Sequence, residues 1–147
     1  MHIDSIVSQE MIAAASAQAC ALGAAVSVAV VDSGGALLAF LRMDGAELAG
    51  PVLAVDKAYT SVLHRESTQE LSTLAAPGGP LFGLHSNGGG RFVIFGGGIP
   101  IIHGDVVIGG IGVSGGSVEE DIVCASAGAT RAAHLLLGAP EPGSAGV

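Results

Sequence analysis

The run "VIGGIGVSGG", Val107 to Gly116, carries glycines at 109, 110, 112, 115 and 116. A strand stripped of side chains in this way is weak by itself, and it occurs where another backbone or a flat ligand must come close. Whatever this chain folds into has to set a close neighbour against that segment. The same residues contain two enzyme signatures. Gly110 to Gly115 reads G-x-G-x-x-G, a dinucleotide-binding turn, and Gly112 to Gly116 reads G-x-S-x-G, a hydrolase nucleophile elbow.

Neither signature finds its context. A dinucleotide turn is followed by a helix, a second strand and an acidic residue about 20 positions on. Here a single helix follows, and it opens with Glu119, Glu120 and Asp121, where a pyrophosphate needs positive potential. For the elbow, Asp121 and His134 stand in hydrolase order after Ser114. Both lie on the helix that leaves the elbow, which recedes by about 1.5 Å per residue and carries His134 about four turns away. Ser114 is therefore not expected to be a nucleophile, and its glycine neighbours are expected to serve backbone geometry.

The pattern along the chain predicts a helix from Ser8 to Leu22, with Ser8 as N-cap and Gly23 ending it. A hairpin follows, "VSVAVV" (Val26 to Val31) turning through "DSGG" into "ALLAFL" (Ala36 to Leu41). Pro51 fits the first turn of a helix running to about Arg65, and a shorter helix covers Ser67 to Leu74. After the long Gly/Pro loop "APGGPLFGLHSNGGG", three more strands are expected at "RFVIF", "IPII" and "VVIGGIGVS", with His103-Gly104-Asp105 as the last turn. Ser117-Val-Glu-Glu120 is a capping box that opens a final helix, stopped by Gly138 and Pro140. Adjacent strands with helices between them give an α+β fold, a mainly antiparallel sheet with helices on one side, as one domain over residues 1–138. Residues 139–147 are expected to be a disordered tail.

Only 12% of residues are charged while 50% are hydrophobic, against a usual charged share of about 25%. A small monomer has too much surface to cover with so few charges, so a homo-oligomer is expected. A net charge of -8 with five fixed cations provides no basic face for nucleic acid or an anionic membrane. Met1-His2-Ile3-Asp4 does not open a secretory signal, and the apolar runs fall short of the roughly 18 residues that cross a bilayer, which predicts a cytoplasmic protein. Cys20 and Cys124 form no C-x-x-C and are expected to be small buried hydrophobes.

Four segments, "VSVAVVDSGGALLAFLRMDGA", "AVDKAYTS", "GGGIPI" and "VIGGIGVSGGSVEEDIVCASAG", together resemble the GlcG/HbpS-like family of haem-binding and haem-degrading proteins. The same domain is similar to the C-terminal part of PduO-type cobalamin adenosyltransferases. The resemblance covers about residues 8 to 138. It implies a sheet of about five antiparallel strands flanked by helices, a profilin/PAS-like layout, in oligomers with ligand sites near subunit interfaces. It also implies binding of a tetrapyrrole, haem or a corrinoid, with haem breakdown or redox sensing in some members. Secreted members carry a signal peptide, which the opening Met1-His2-Ile3-Asp4 is not expected to provide.

Arg42 and Asp44 match the family's R-M-D-G-A pattern. Arg42 there either clamps a carboxylate or propionate or pairs with Asp44 to fix the turn. Lys57, the chain's single lysine, matches K-A-x-T, and Lys57, Thr60, Ser61 and His64 fall three or four apart along one helical stripe. That stripe is either a solvated face or the wall of a pocket floored by Gly110 and Gly112. In the pocket reading Lys57 holds an anionic group, and Thr60 or His64 ligates iron or moves a proton. His64 is the best candidate for ligand or base, although it lies outside the family motif. His85 and His103 are expected to be exposed, His2 and His134 incidental, and no His/Cys/Asp cluster has metal-ligand spacing.

Three functions follow from different classes. The first is a tetrapyrrole-binding, haem-degrading oligomer, with a 3% aromatic content and no Trp counting against it. The second is a metal-independent isomerase, lyase or hydrolase acting on a small organic anion through Arg42, Lys57 and His64. The third is a non-catalytic accessory binding module.

Overall fold

A computed structural model describes residues 1–138, so the tail expected at 139–147 lies outside the described residues. Helix α1 spans Ser5–Leu22. It starts ahead of Ser8 because Asp4 is the N-cap, its side chain accepting from Val7 N at 2.8 Å, and Gly23 closes it in the left-handed conformation at φ 71°. Strands β1 (Ser27–Asp32) and β2 (Leu37–Arg42) form the expected hairpin. Asp32 Oδ1 holds its turn by accepting from Gly34 N and Ala36 N, each at 2.9 Å.

Helix α2 (Gly50–His64) has Pro51 in its first turn, and α3 (Thr68–Leu74) is capped by Ser67. Strands β3 (Gly98–His103) and β4 (Val106–Ser114) lead to α4 (Val118–Leu137), whose first turn carries the reciprocal Ser117 and Glu120 capping bonds. All pairings are antiparallel, in the order β2-β1-β4-β3. No helix among the described residues is long and apolar enough to cross a membrane.

The α+β class holds, with two corrections. The sheet has four strands, because "RFVIF" runs over α2 instead of pairing: Val93 N donates to Thr60 Oγ1 at 3.0 Å, and the Arg91 guanidinium lies 3.6 Å above the Tyr59 ring. Helices also cover both faces. Helix α2 crosses β1, β4 and β3 on one side, while α1 and α4 pack together on the other. The two central strands are accordingly buried on both faces, which is why "VSVAVV" is apolar at every position but Ser27 and shows no regular polar alternation.

The glycines set the α2 layer. Gly98, Gly110 and Gly112 share the face under that helix, Gly112 pairing with Gly98 in register. A methyl group at Gly112 would collide with the carbonyl of Ala54 and lie 2.6 Å from Ala58 N; one at Gly110 would lie 2.8 Å from Ser61 Oγ; one at Gly98 would collide with the Lys57 carbonyl. The close neighbour demanded by the glycine run is thus the backbone of α2. On the opposite face Ile111 and Val113 join Met11, Ala15 and Cys124 in the main core.

Gly112→Ala is expected to cost more than about 3 kcal/mol or to prevent folding, since backbone atoms cannot yield as side chains do. Gly34→Ala, whose added methyl meets only Asp32 Oδ1 at 3.5 Å, should cost under about 1 kcal/mol. Urea unfolding of the two variants checks this, and equal stabilities would remove the close-approach account.

Candidate functional site

With α2 pressed onto the sheet, its polar stripe is divided between the helix–sheet contact, which takes Lys57 and Ser61, and the 91–95 segment, which covers Thr60 and His64. Lys57 is fully buried. Its Nζ donates to the Val113 carbonyl at 2.8 Å and to Asp121 Oδ2 at 3.1 Å, and the Phe95 ring centre lies 5.1 Å away. Asp121 Oδ1 accepts from Gly116 N at 2.9 Å. Burial pushes the Lys57 pKa down, opposed by the Asp121 charge, and pushes the Asp121 carboxyl up, opposed by Lys57 and the Gly116 amide. Thr60 Oγ1 donates to Asp56 O at 2.6 Å besides accepting from Val93 N, and Ser61 Oγ donates to Ala58 O at 2.8 Å.

His64 ends the stripe. Its ring meets Phe92 edge-on with centroids 4.5 Å apart, and its Nε2 is buried without a partner. Burial lowers its pKa below the ordinary 6.5. The structure therefore gathers Lys57, Ser61, Gly110 and Gly112 in the packed helix–sheet contact, with Thr60 beside them under the 91–95 segment and His64 at the margin. Arg42 and Asp44 lie apart from it, at the end of edge strand β2. Both are exposed, and Arg42 donates from Nε (3.1 Å) and Nη2 (2.7 Å) to the Ala46 carbonyl. The guanidinium thus fixes the turn through a backbone oxygen, and not through Asp44 as one of the two readings of Arg42 had it.

Ser114 is buried at the end of β4, and the carboxylate nearest in hydrolase order, Asp121, is engaged by Lys57 and Gly116. His85 and His103 are exposed. Cys20 is exposed, a correction to the buried expectation, while Cys124 is buried and its thiol pKa is pushed up to about 11, chiefly by burial.

A second feature went unread in the sequence. Between α1 and α4, on the outer side of that helix pair, runs a groove of about 380 Å³ whose lining includes Ala14, Gln18, Val123, Ala127, Arg131 and His134. Arg131 and His134 are three apart and so share a face of α4. The Arg131 guanidinium donates to Glu10 Oε2 from Nη2 at 2.9 Å and from Nε at 3.2 Å. Glu10 is the only charged residue of α1, so this pairing leaves its outward side, with Ile6, Ala13, Ala17 and Ala21 exposed, without net charge. The available signal was that α1 carries a single charged residue and repeats alanine at 13, 14, 17 and 21, leaving a side with few groups for water.

The fold and these sites define a three-layer antiparallel α+β domain, closed between α2 and the sheet and open as a groove outside α1 and α4. The chain belongs to the HbpS-like family: the family model described as "Haem degrading protein HbpS-like" matches residues 3–130. It is 42% identical over 113 residues to an uncharacterized 15.0 kDa protein in the dhaT-dhaS intergenic region of Citrobacter freundii, covering 77% of this chain and 80% of that one. It is 43% identical over 97 residues to the corrinoid adenosyltransferase PduO of Salmonella typhimurium, covering 66% of this chain but only 29% of that protein. Among solved structures it is similar to PduOC in its haem complex, with a TM-score of 0.85 and 36% identity, covering 89% of this chain and 95% of that one.

Two outcomes test this geometry. Lys57→Met leaves Asp121 buried and uncompensated and should cost about 3–5 kcal/mol, while adding Asp121→Asn should restore much of the loss; a Lys57→Met protein as stable as wild type would contradict the buried pair. Because the folded-state pKa of His64 lies below 6.5, the unfolded chain takes up its proton first, and stability should fall as pH drops through that value. His64→Leu should flatten the dependence of the melting temperature between about pH 7.5 and 5.5; an unchanged slope would contradict it.

Proposed function

We propose that this chain binds a tetrapyrrole, haem or a corrinoid, in the α1/α4 groove, between copies of a homo-oligomer. The observation that carries the reading is the likeness to the PduOC haem complex over nearly the whole of both chains.

The donor set of the groove fits such a ligand. Small side chains at Ala14 and Ala127 and the apolar face of Val123 suit a flat ring, and the His134 imidazole is the group in the lining whose chemistry suits a central metal, while Arg131 is held by Glu10. His64 suits the role less well, because the Phe92 ring packs against it. At about 380 Å³ the groove is near the lower end of the roughly 300–1,000 Å³ usual for small-molecule sites. It covers one face of a macrocycle, so the other face falls to a second copy, in keeping with the low charge content and the uncharged outer side of α1. A bound haem would supply the redox and oxygen chemistry of its iron; the chain's own residues bind and orient the ring and exclude water from it.

The organic-anion enzyme lacks an assembled clamp: Lys57 is committed to Asp121 and Val113, and Arg42 to Ala46, on different elements. The geometry favours binding over that chemistry.

Titration of the purified protein with hemin should give a sharp, saturable Soret shift, and His134→Ala should weaken binding at least tenfold or change the band. Only broad, unsaturable absorbance would remove the proposal. Sedimentation at micromolar concentration should show a multimer, and a single species near the 14.3 kDa monomer mass would remove its oligomeric part.

A further inference from the structure

On the opposite side of the sheet from the proposed tetrapyrrole groove, a second concavity opens at the C-terminal end of α2. Its volume is about 550 Å³, and its lining includes Gly34 from the β1–β2 turn, Leu63 and Arg65 from the end of α2, Asp105 from the β3–β4 turn, and Val106 and Val107 from the start of β4. Two large apolar side chains stand open to water at its rim, Leu63 at 42% and Val106 at 61% exposure.

Arg65 is the informative residue. It is the C-cap of α2, at φ 56° and ψ 34°, and the only non-glycine residue with positive φ among those described. Glycine normally fills this position because a side chain makes the left-handed conformation costly. The same side chain reaches across the groove, where Nη2 donates to the Asp105 carbonyl. It is also unmatched in charge. Three of the chain's five cations are ion-paired, Lys57 with Asp121, Arg91 with Asp56 and Arg131 with Glu10, and Arg42 gives two donors to one carbonyl. Arg65 has no carboxylate at ion-pair distance among the described residues, in a chain that carries 13 acidic side chains. A guanidinium held in a costly backbone conformation, lacking an acidic partner and flanked by exposed apolar walls, has the chemistry of a carboxylate receptor.

We propose that this groove is a separate binding site for a small carboxylate on an apolar body, the carboxylate received by Arg65 and the body covering Leu63, Val106 and Val107. Asp105 lies on the same rim and sets a limit on the ligand: its carboxylate repels a second negative charge, so a monocarboxylate suits the groove and a dicarboxylate does not.

The test uses sodium hexanoate titrated into the ¹⁵N-labelled full chain, with hexanol as the uncharged control. Hexanoate should shift the amides of Gly34, Arg65, Val106 and Val107 saturably, and hexanol should bind at least tenfold more weakly. Arg65→Gly, which relaxes the backbone and deletes the guanidinium, should bind hexanoate at least tenfold more weakly while melting no lower than wild type. Arg65→Gln, which keeps much of the stem, should show the same loss. Equal binding of hexanol, unaltered binding by either variant, or no saturable shift in the groove would overturn the proposal. One equivalent of hemin should leave the hexanoate shifts in place, whether or not hemin itself binds; displacement of hexanoate would overturn the assignment of a separate site.

Discussion

The structure depends on the contact between the backbone of α2 and the glycine face of β3 and β4. With no side chains at Gly98, Gly110 and Gly112, the helix settles on the sheet at the distance that backbone atoms permit. Side chains on the underside of α2 then have no layer of their own. The small ones, Ala54, Ala58 and Ser61, fit directly, and the one long side chain, Lys57, is driven toward the end of β4. Its ammonium group arrives there buried, and the structure must meet a charge removed from water.

Asp121 meets it, and this ties the third layer to the first two. The capping box at Ser117 and Glu120 fixes the first turn of α4. That turn presents Asp121 to Lys57 on one oxygen and to Gly116 on the other. Such a pair adds little net stability, because desolvating two charges offsets most of their attraction. Its structural effect is on geometry, since an α4 shifted along its axis would leave two charges buried and unmatched. One constraint, glycines under α2, thus sets the place of a lysine, and the lysine sets the place of a helix on the other face of the sheet.

Much of this was legible in the sequence. The helices, the hairpin, the capping box and the α+β class could be read from periodicity and turn residues, and the family from four segments in matching order. The fifth strand at "RFVIF" was misread because a short β-branched and aromatic run looks the same whether its N–H groups pair with a strand or, as at Val93, with a threonine side chain on a helix. The helix stripe was legible as a stripe, but the direction it faced was not: Lys57 and Thr60 look equally suited to water, a pocket or a closed contact until the depth of the glycine face is known. The α1/α4 groove escaped notice because its two notable residues, Arg131 and His134, stand in a helix whose apolar spacing pointed elsewhere. Arg65 carried no local sign at all, since its left-handed backbone is imposed by the end of α2.

In the arrangement proposed, the α2 face is closed by backbone contact and a tetrapyrrole is met on the outer side of α1 and α4. Paramagnetic broadening of amide signals by ferric hemin in the ¹⁵N-labelled protein reads out where the ring sits. The account predicts broadening centred on Ala14, Gln18, Val123 and Ala127, with Ala58, Ser61, Gly110 and Gly112 unaffected. Broadening centred on the second set would contradict it, because the ring would then occupy the space assigned here to the backbone of α2.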